Sequence, residues 1–222
     1  MFKTLSKEDK ALSYHIRLMS EEDTPHVTEI DHEAFPTLWP PANFKRELQN
    51  SFAHYIVACN GEETVKESNM TSHQHGSVFR LSWLWQLFNR DYSRSNELSP
   101  SSKQFIVGFA GFWMMADEAH ITNIAVRELY RRQGTGELLL ISTLDLATEL
   151  KARIMTLEVR ASNATAQNLY QKYGFNHVGV RTGYYIDDKE DAIIMTTENI
   201  SSAAFQAHLN QLKQAHTSKW GK

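Results

Sequence analysis

The stretch Ile121–Leu140 constrains the fold more than any other part of the chain, because its pattern changes across a glycine turn. Ile121–Val126 carries β-branched apolar residues at strand spacing. From Gly134 onward the apolar residues follow a helical period, with Leu139 and Leu146 on one face. The sequence therefore predicts a strand, a tight turn and a helix in immediate succession.

The turn carries residues suited to binding an anion. Arg131 and Arg132 precede Gly134 and Gly136, and glycine lets the backbone approach a ligand closely. The first N–H groups of a helix lack partners within it, and the helix dipole makes that end positive. A pyrophosphate can be held by these groups, with the arginines supplying charge. The alternative is an ordinary strand-to-helix turn with solvated arginines.

The spacing Arg131-x-x-Gly134-x-Gly136 resembles the acetyl-CoA pyrophosphate motif of the GNAT acyltransferases. Leu157–Phe175 and Gly183–Met195 resemble the RimI-type ribosomal-protein N-acetyltransferases, which acetylate protein N-terminal amines. The resemblance covers roughly Ile16 to Met195, apart from a long insert. It implies an α/β GNAT fold, a mixed, splayed β-sheet flanked by helices, with acetyl-CoA entering where the strands at 121–126 and 154–159 part.

The resemblance implies acetyl-CoA as the co-substrate and places it along the first of these strands and the turn. The strand backbone is expected to pair with the pantetheine like an added strand, and Asn163 to bond the amide arm. The predicted cofactor-binding residues are Ile124, Ala125, Val126, Arg131, Arg132, Gln133, Gly134, Thr135, Gly136, Glu137 and Asn163. No metal is expected, because His73 and His75 stand without a cysteine or carboxylate cluster.

Glu158 and Tyr170 are the predicted catalytic residues. Glu158 ends an apolar strand, and Tyr170 lies on the inner face of the next helix, so both can face the cleft if the strands end at the same sheet edge. The resemblance implies a base role for Glu158 and an acid role for Tyr170, a competent donor at an ordinary tyrosine pKa near 10. The alternatives are a Glu158–Arg160 ion pair and helix packing by Tyr170.

A loop with three prolines, FPTLWPP, follows the first predicted helix and cannot be regular structure. Its aromatic residues plug a core edge or contact a ligand. The resemblance places this loop and the segment GYY on the walls of a peptide slot. The predicted substrate-binding residues are Phe35, Pro36, Trp39, Tyr184 and Tyr185. We expect Tyr184 and Tyr185 to lie on a strand and point to opposite faces.

Composition bounds the class of protein and its partners. A chain of 222 residues with 41% hydrophobic content fits one α/β domain with additions, and the net charge of −3 argues against a nucleic-acid surface as the main partner. The single cysteine, Cys59, fits a reducing compartment and a buried, inert thiol. Because neither a signal sequence nor a membrane span is visible, we expect a cytoplasmic protein.

The predicted domain is residues 1–200, with an insert at 61–104 and a C-terminal tail at 201–222. The insert separates two strands, and its polar ends are expected to be mobile linkers. Within it, residues 78–92 predict an amphipathic helix. This helix packs on the domain, docks to a partner protein or lies on a membrane surface. The tail predicts a marginal polar helix, with no function assigned.

The resulting hypothesis is acetylation of the N-terminal amine of a protein, favouring a ribosomal protein with N-terminal alanine, by direct attack in a ternary complex. Two alternatives remain open: acetylation of a small amine or lysine side chain, and a non-catalytic acetyl-CoA-binding regulatory subunit. The slot argues against the first, and the presence of Glu158 and Tyr170 against the second. Oligomeric state is left open.

Overall fold

The computed structural model of the chain describes residues 14–37, 42–65 and 103–221. These residues form a seven-stranded sheet of order β1-β2-β3-β4-β5-β7-β6. The strands are β1 (Tyr14–Leu18), β2 (Ala53–Val65), β3 (Lys103–Met115), β4 (Glu118–Val126), β5 (Ile154–Arg160), β6 (Phe175–Arg181) and β7 (Ala192–Thr197). Neighbouring strands are antiparallel except β4 and β5, which are parallel. The predicted mixed sheet is confirmed.

Five helices lie in the same described residues: α1 (Thr24–Ala34), α2 (Phe44–Gln49), α3 (Thr135–Glu149), α4 (Ala164–Lys172) and α5 (Ala203–Trp220). Three of them begin at polar residues whose side chains accept from exposed backbone N–H groups. The Oδ1 atoms of Asn43 and Asn163 each accept from a backbone N–H of their helix at 3.1 Å. The hydroxyl of Ser202 does the same for α5 at 3.2 Å.

The sheet is covered on both faces, as strand alternation in β2 makes clear. Tyr55, Val57 and Cys59 pack with the residues of α1 and α2. Ile56 and Ala58 pack on the opposite face, in the cluster that contains a leucine of α3. The Cys59 thiol is fully buried, and burial raises its pKa, which agrees with the predicted inert state.

The strands that flank the insert are longer than predicted. Residues 61–65 continue β2 and residues 103–104 continue β3, so part of the expected mobile linker is strand. Thr64 pairs with Gln104 and Val65 pairs with Lys103 beyond a bulge. These two strand ends form a polar ribbon that is held by backbone pairing. A search for apolar strand patterns does not detect strands of this kind. The predicted amphipathic helix at 78–92 lies outside the described residues.

The C-terminal tail, for which the sequence predicts a marginal polar helix, forms the helix α5 and packs on the core. Leu209 of α5 is 1% exposed, and Phe205 and Leu212 pack against the same large core cluster. Lys213 forms an ion pair with Asp145 of α3. Within the described residues, no helix is long and apolar enough to cross a membrane.

We predict that Leu209→Ala lowers the free energy of unfolding by about 2–4 kcal/mol, because it leaves a cavity beneath α5. Urea unfolding monitored by circular dichroism measures this change. Asn210→Ala, at the exposed next position of the helix, serves as the control. Equal midpoints for the two variants would mean that α5 does not contribute to the domain core.

Candidate active site

The candidate site lies where β4 and β5 separate. Their parallel pairing runs from Glu118↔Ile154 to Ile121↔Leu157 and ends there. On the other side of β4, the register to β3 shifts by one residue at Thr122, which marks a β-bulge. A bulge bends a strand and increases its twist, so the β4 edge at residues 122–126 turns away from β5. The predicted parting of the two strands is confirmed.

The glycine turn forms a cradle, residues 131–137, at the start of α3. Gly134 is the cap residue and has a left-handed backbone with φ 81°, as does Arg132 with φ 63°. The N–H groups of the first helical turn lie directly after it. A Cβ added at Gly136 would meet only Val126, at 3.7 Å, so there is space beside this backbone. Open space beside backbone donors fits a phosphate group.

Two side chains of the cradle hold the turn in shape. Arg131 Nε donates to the carbonyl oxygen of Val126 at 3.0 Å. The Gln133 amide accepts from the Tyr14 hydroxyl at 2.6 Å and donates to the carbonyl oxygen of Leu129 at 2.9 Å. The Gln133 side chain therefore connects the turn to β1 and to the carbonyl group of Leu129.

The Glu137 side chain faces α4. It accepts from Lys172 Nζ at 2.5 Å and from the Tyr173 hydroxyl at 2.7 Å. Burial alone would raise its pKa, but these hydrogen bonds hold the pKa of Glu137 below its usual range. The Glu137 carboxylate is therefore engaged in contacts with α4 and the residue that follows it. Asn163 uses Oδ1 to cap α4, which leaves its Nδ2 group as the donor for a ligand.

Glu158 is the first residue of β5 after its last pair with β4, and its side chain is only 7% exposed. Oε2 lies 3.0 Å from Nε2 of His120 on β4, and Oε1 lies 2.9 Å from the guanidinium of Arg181. A Glu158–Arg160 ion pair, the alternative derived from sequence, is wrong. Arg160 instead pairs with Asp187, Asp188 and Glu190.

Sequence analysis missed His120 as a site residue. His120 pairs in register with Thr156, two residues before Glu158 and therefore on the same face of β5. The signal was a histidine in an apolar strand, but its position relative to Glu158 depends on the register between two strands that lie far apart in sequence.

Tyr170 lies in α4 with its ring 5.7 Å from that of Phe175, so packing is part of its role. Burial raises the pKa of its phenol to about 12, and nearby Tyr185 adds to the rise. The expectation of an ordinary pKa near 10 is therefore wrong. Within the described residues the Tyr170 hydroxyl has no hydrogen-bond partner, which leaves it available to a ligand.

Tyr184 and Tyr185 lie in the loop of residues 182–191, not on a strand, so the prediction that they point to opposite faces is wrong. Their rings are 5.2 Å apart and perpendicular. The guanidinium of Arg160 lies 4.0 Å from the Tyr185 ring, and that of Arg181 lies 5.6 Å from the Tyr184 ring. Because Gly183 has a left-handed backbone, the chain leaves the extended conformation directly before the tyrosines.

The loop after α1 contacts the loop of residues 182–191. Phe35 is 37% exposed and Pro36 is exposed. The Thr37 hydroxyl donates to Asp187 at 2.5 Å, and this bond together with Arg160 lowers the pKa of Asp187. The two predicted walls of the peptide slot are therefore joined. Trp39 lies outside the described residues.

Known proteins share this architecture. A family model described as the acetyltransferase (GNAT) family matches residues 68–175. A protein of Bacillus subtilis, provisionally named a ribosomal protein bS18-alanine N-acetyltransferase, is 34% identical over 81% of this chain and 92% of its own length. An N-alpha-acetyltransferase of Sulfurisphaera tokodaii is 31% identical over 84% of this chain and 93% of its own length.

A solved structure of the ribosomal-protein-S18-alanine N-acetyltransferase from Escherichia coli aligns with a TM-score of 0.59 at 26% identity, covering 86% of this chain and 96% of that one. This chain therefore belongs to the GNAT family of acetyltransferases, as its resemblance indicated. As a member of the family, it is an acetyl-CoA-dependent N-acetyltransferase.

Asp31 of α1 is a second buried carboxyl near the cleft, hydrogen-bonded to Asn123 of β4 where the strands part. It is 4% exposed, and within the described residues its Oδ1 has no partner. Burial raises the pKa of Asp31 to about 6, although Asn123 and His32 lower it. The stability that a raised pKa contributes is complete below the unfolded value of 3.8 and is lost as the pH rises through 6.

We predict that Asp31→Asn weakens this pH dependence. Between pH 3.5 and pH 7 the wild type should lose up to about 3 kcal/mol of unfolding free energy relative to the variant. Urea titrations at several pH values measure the free energy of unfolding of both proteins, with the exposed Glu22→Gln as control. Parallel curves for wild type and Asp31→Asn would show that Asp31 does not titrate in this range.

Proposed function

We propose that this protein acetylates the N-terminal α-amine of a protein, with a ribosomal protein that begins with alanine as the preferred substrate. The amine attacks acetyl-CoA directly while both are bound. The observation that carries the proposal is the buried Glu158, held between His120 and Arg181 where β4 and β5 part. The names of the relatives from Bacillus subtilis and Sulfurisphaera tokodaii support this substrate class.

Acetyl-CoA supplies the activated acetyl group and a thiolate leaving group. The N–H groups at the start of α3 are suited to its pyrophosphate, with Arg131 and Arg132 as nearby charges. The edge of β4 at Ile124, Ala125 and Val126 is turned away from β5 and is suited to its pantetheine arm. The Nδ2 group of Asn163 is a donor at the facing end of β5.

Glu158 is the proposed acceptor of the proton that the substrate ammonium must lose before the neutral amine attacks the thioester. An α-amine has a pKa near 8, so about a tenth is already neutral at pH 7, and a weak base suffices. His120 and Arg181 each contact one carboxylate oxygen of Glu158. Since each oxygen has two lone pairs, the carboxylate can still accept the proton of the amine. A lysine amine, with a pKa near 10.4, would cost about 3.5 kcal/mol more to deprotonate.

Tyr170 is the proposed partner of the leaving sulfur. Its pKa of about 12 keeps the phenol protonated at neutral pH. Complete transfer of this proton to a thiolate whose thiol has a pKa near 8.5 would be uphill by about 5 kcal/mol. Tyr170 therefore stabilises the thiolate by hydrogen bonding, and solvent supplies the proton that ends on sulfur.

The peptide slot favours a chain terminus over a small free amine. Phe35 and Pro36 line one wall and Tyr184 and Tyr185 the other, joined through Thr37 and Asp187. These walls offer phenol hydroxyls to a first peptide bond. Acetylation of a small amine or a lysine side chain, and acetyl-CoA binding without turnover, remain the alternatives.

We predict that Glu158→Gln lowers kcat for an alanine-starting peptide by roughly 10²-fold at pH 7, because the amine loses its proton acceptor. Activity should partly recover as the pH rises toward the pKa of the substrate amine, because more of the amine is then neutral without a base. Steady-state kinetics and calorimetry with CoA separate turnover from binding, with the exposed Glu128→Gln as a matched control. Full activity at pH 7 would make Glu158 a structural residue.

We predict that Tyr185→Ala lowers kcat/KM for the same peptide by about 10- to 100-fold, the equivalent of ~1–3 kcal/mol, and leaves CoA binding unchanged. Ile186→Ala, an exposed neighbour in the same loop, is the control. Parallel assays with spermidine test the substrate class. A wild type that prefers spermidine would refute the N-terminal substrate while the family assignment stands.

A further inference from the structure

The C-terminal helix α5 ends on the phosphate cradle. It lies along α3, with contacts that begin between Gln206 and Thr148 at the far end of α3. The ion pair of Lys213 with Asp145 follows. At the other end of α5, His216 and Trp220 contact Gly134, the cap residue of α3. A segment far away in sequence thus contacts the residue that precedes the proposed phosphate donors.

The contact with Trp220 depends on glycine at position 134. A Cβ built on Gly134 would lie 2.7 Å from Cγ and Cδ1 of the indole, closer than real Cβ atoms come. The indole therefore packs on the bare Cα of the turn. Its Nε1–H is buried and has no partner among the described residues. An unsatisfied N–H is unfavourable, so packing against the glycine, not hydrogen bonding, accounts for the position of this ring.

His216 holds the same residue by hydrogen bonding. Its Nε2 lies 3.1 Å from the carbonyl oxygen of Gly134, which can only accept, so the tautomer with a proton on Nε2 makes this bond. The same carbonyl accepts the first backbone hydrogen bond of α3, from Leu138 at 2.9 Å. Lys219 lies 4.7 Å from the Trp220 ring and brings a positive charge to this end of α5.

We infer that His216 and Trp220 are positioning residues for the cofactor: they hold Gly134 in the left-handed conformation that aims the first N–H groups of α3 at the pyrophosphate. This inference rests on the proposed function. Glycine has more conformational freedom to lose than any other residue, and a site that is ordered before binding avoids that loss when the ligand arrives. Affinity for the phosphate-bearing part of the cofactor therefore depends on the C-terminal helix.

The test compares a ligand with the pyrophosphate and one without it. Trp220→Ala and His216→Ala should each raise the Kd for CoA, measured by calorimetry, with at least a tenfold increase for Trp220→Ala, the equivalent of about 1.4 kcal/mol. Turnover of acetyl-pantetheine, which lacks the pyrophosphate, should change less than twofold. Trp220→Phe keeps a ring on Gly134 and should restore most of the CoA affinity.

Leu212→Ala is the matched structural control, since this residue packs the same helix against the core away from the turn. It should lower Tm without changing the Kd for CoA. A second readout is hydrogen exchange without ligand, in which the amides of residues 134–137 should exchange faster in Trp220→Ala than in Leu212→Ala.

Two results would overturn the inference. The first is an unchanged CoA affinity in folded Trp220→Ala and His216→Ala. The second is an equal loss with CoA and with acetyl-pantetheine, which would make Trp220 a general stabiliser. In both cases the proposed function stands if the wild type binds CoA and acetylates the peptide. A wild type that binds no CoA would overturn both.

Discussion

The parallel contact between β4 and β5 is the constraint on which the remaining structure depends. Four residue pairs hold the strands together, and the bulge at Thr122 then turns β4 away. The pairing must exist for His120 and Glu158 to meet, and it must stop for a ligand to enter between the strands. The glycine turn and α3 follow β4 directly, so the direction in which β4 leaves the sheet also sets where the cradle faces.

The sequence was sufficient for features that are encoded locally. The change from strand to helix period at Gly134 and the motifs that carry the GNAT resemblance are each contained in a short stretch. It was insufficient where two distant segments meet. The approach of His120 to Glu158 requires the β4–β5 register, and the contact of Trp220 with Gly134 requires the packing of α5.

The loop of residues 182–191 illustrates the same division. An alternation argument assigned its tyrosines to a strand, but their placement is set by charge. Arg160 binds the carboxylates of Asp187, Asp188 and Glu190 and lies over the Tyr185 ring. A guanidinium has a planar fork of donors and an apolar face, so it can organise acidic and aromatic groups at once. One side chain of β5 thereby shapes a wall that is remote from it in sequence.

The ribbon formed by the ends of β2 and β3 brings together the two chain positions between which the insert lies. Val65 and Lys103, the residues on either side of 66–102, are paired and therefore adjacent. The entropy of closing a loop grows only with the logarithm of its length, so a short turn and a loop of this size differ by about 2 kcal/mol in that respect. The ribbon tip is thus a position at which the chain can be lengthened or shortened at small entropic cost while the pairing of the sheet is kept.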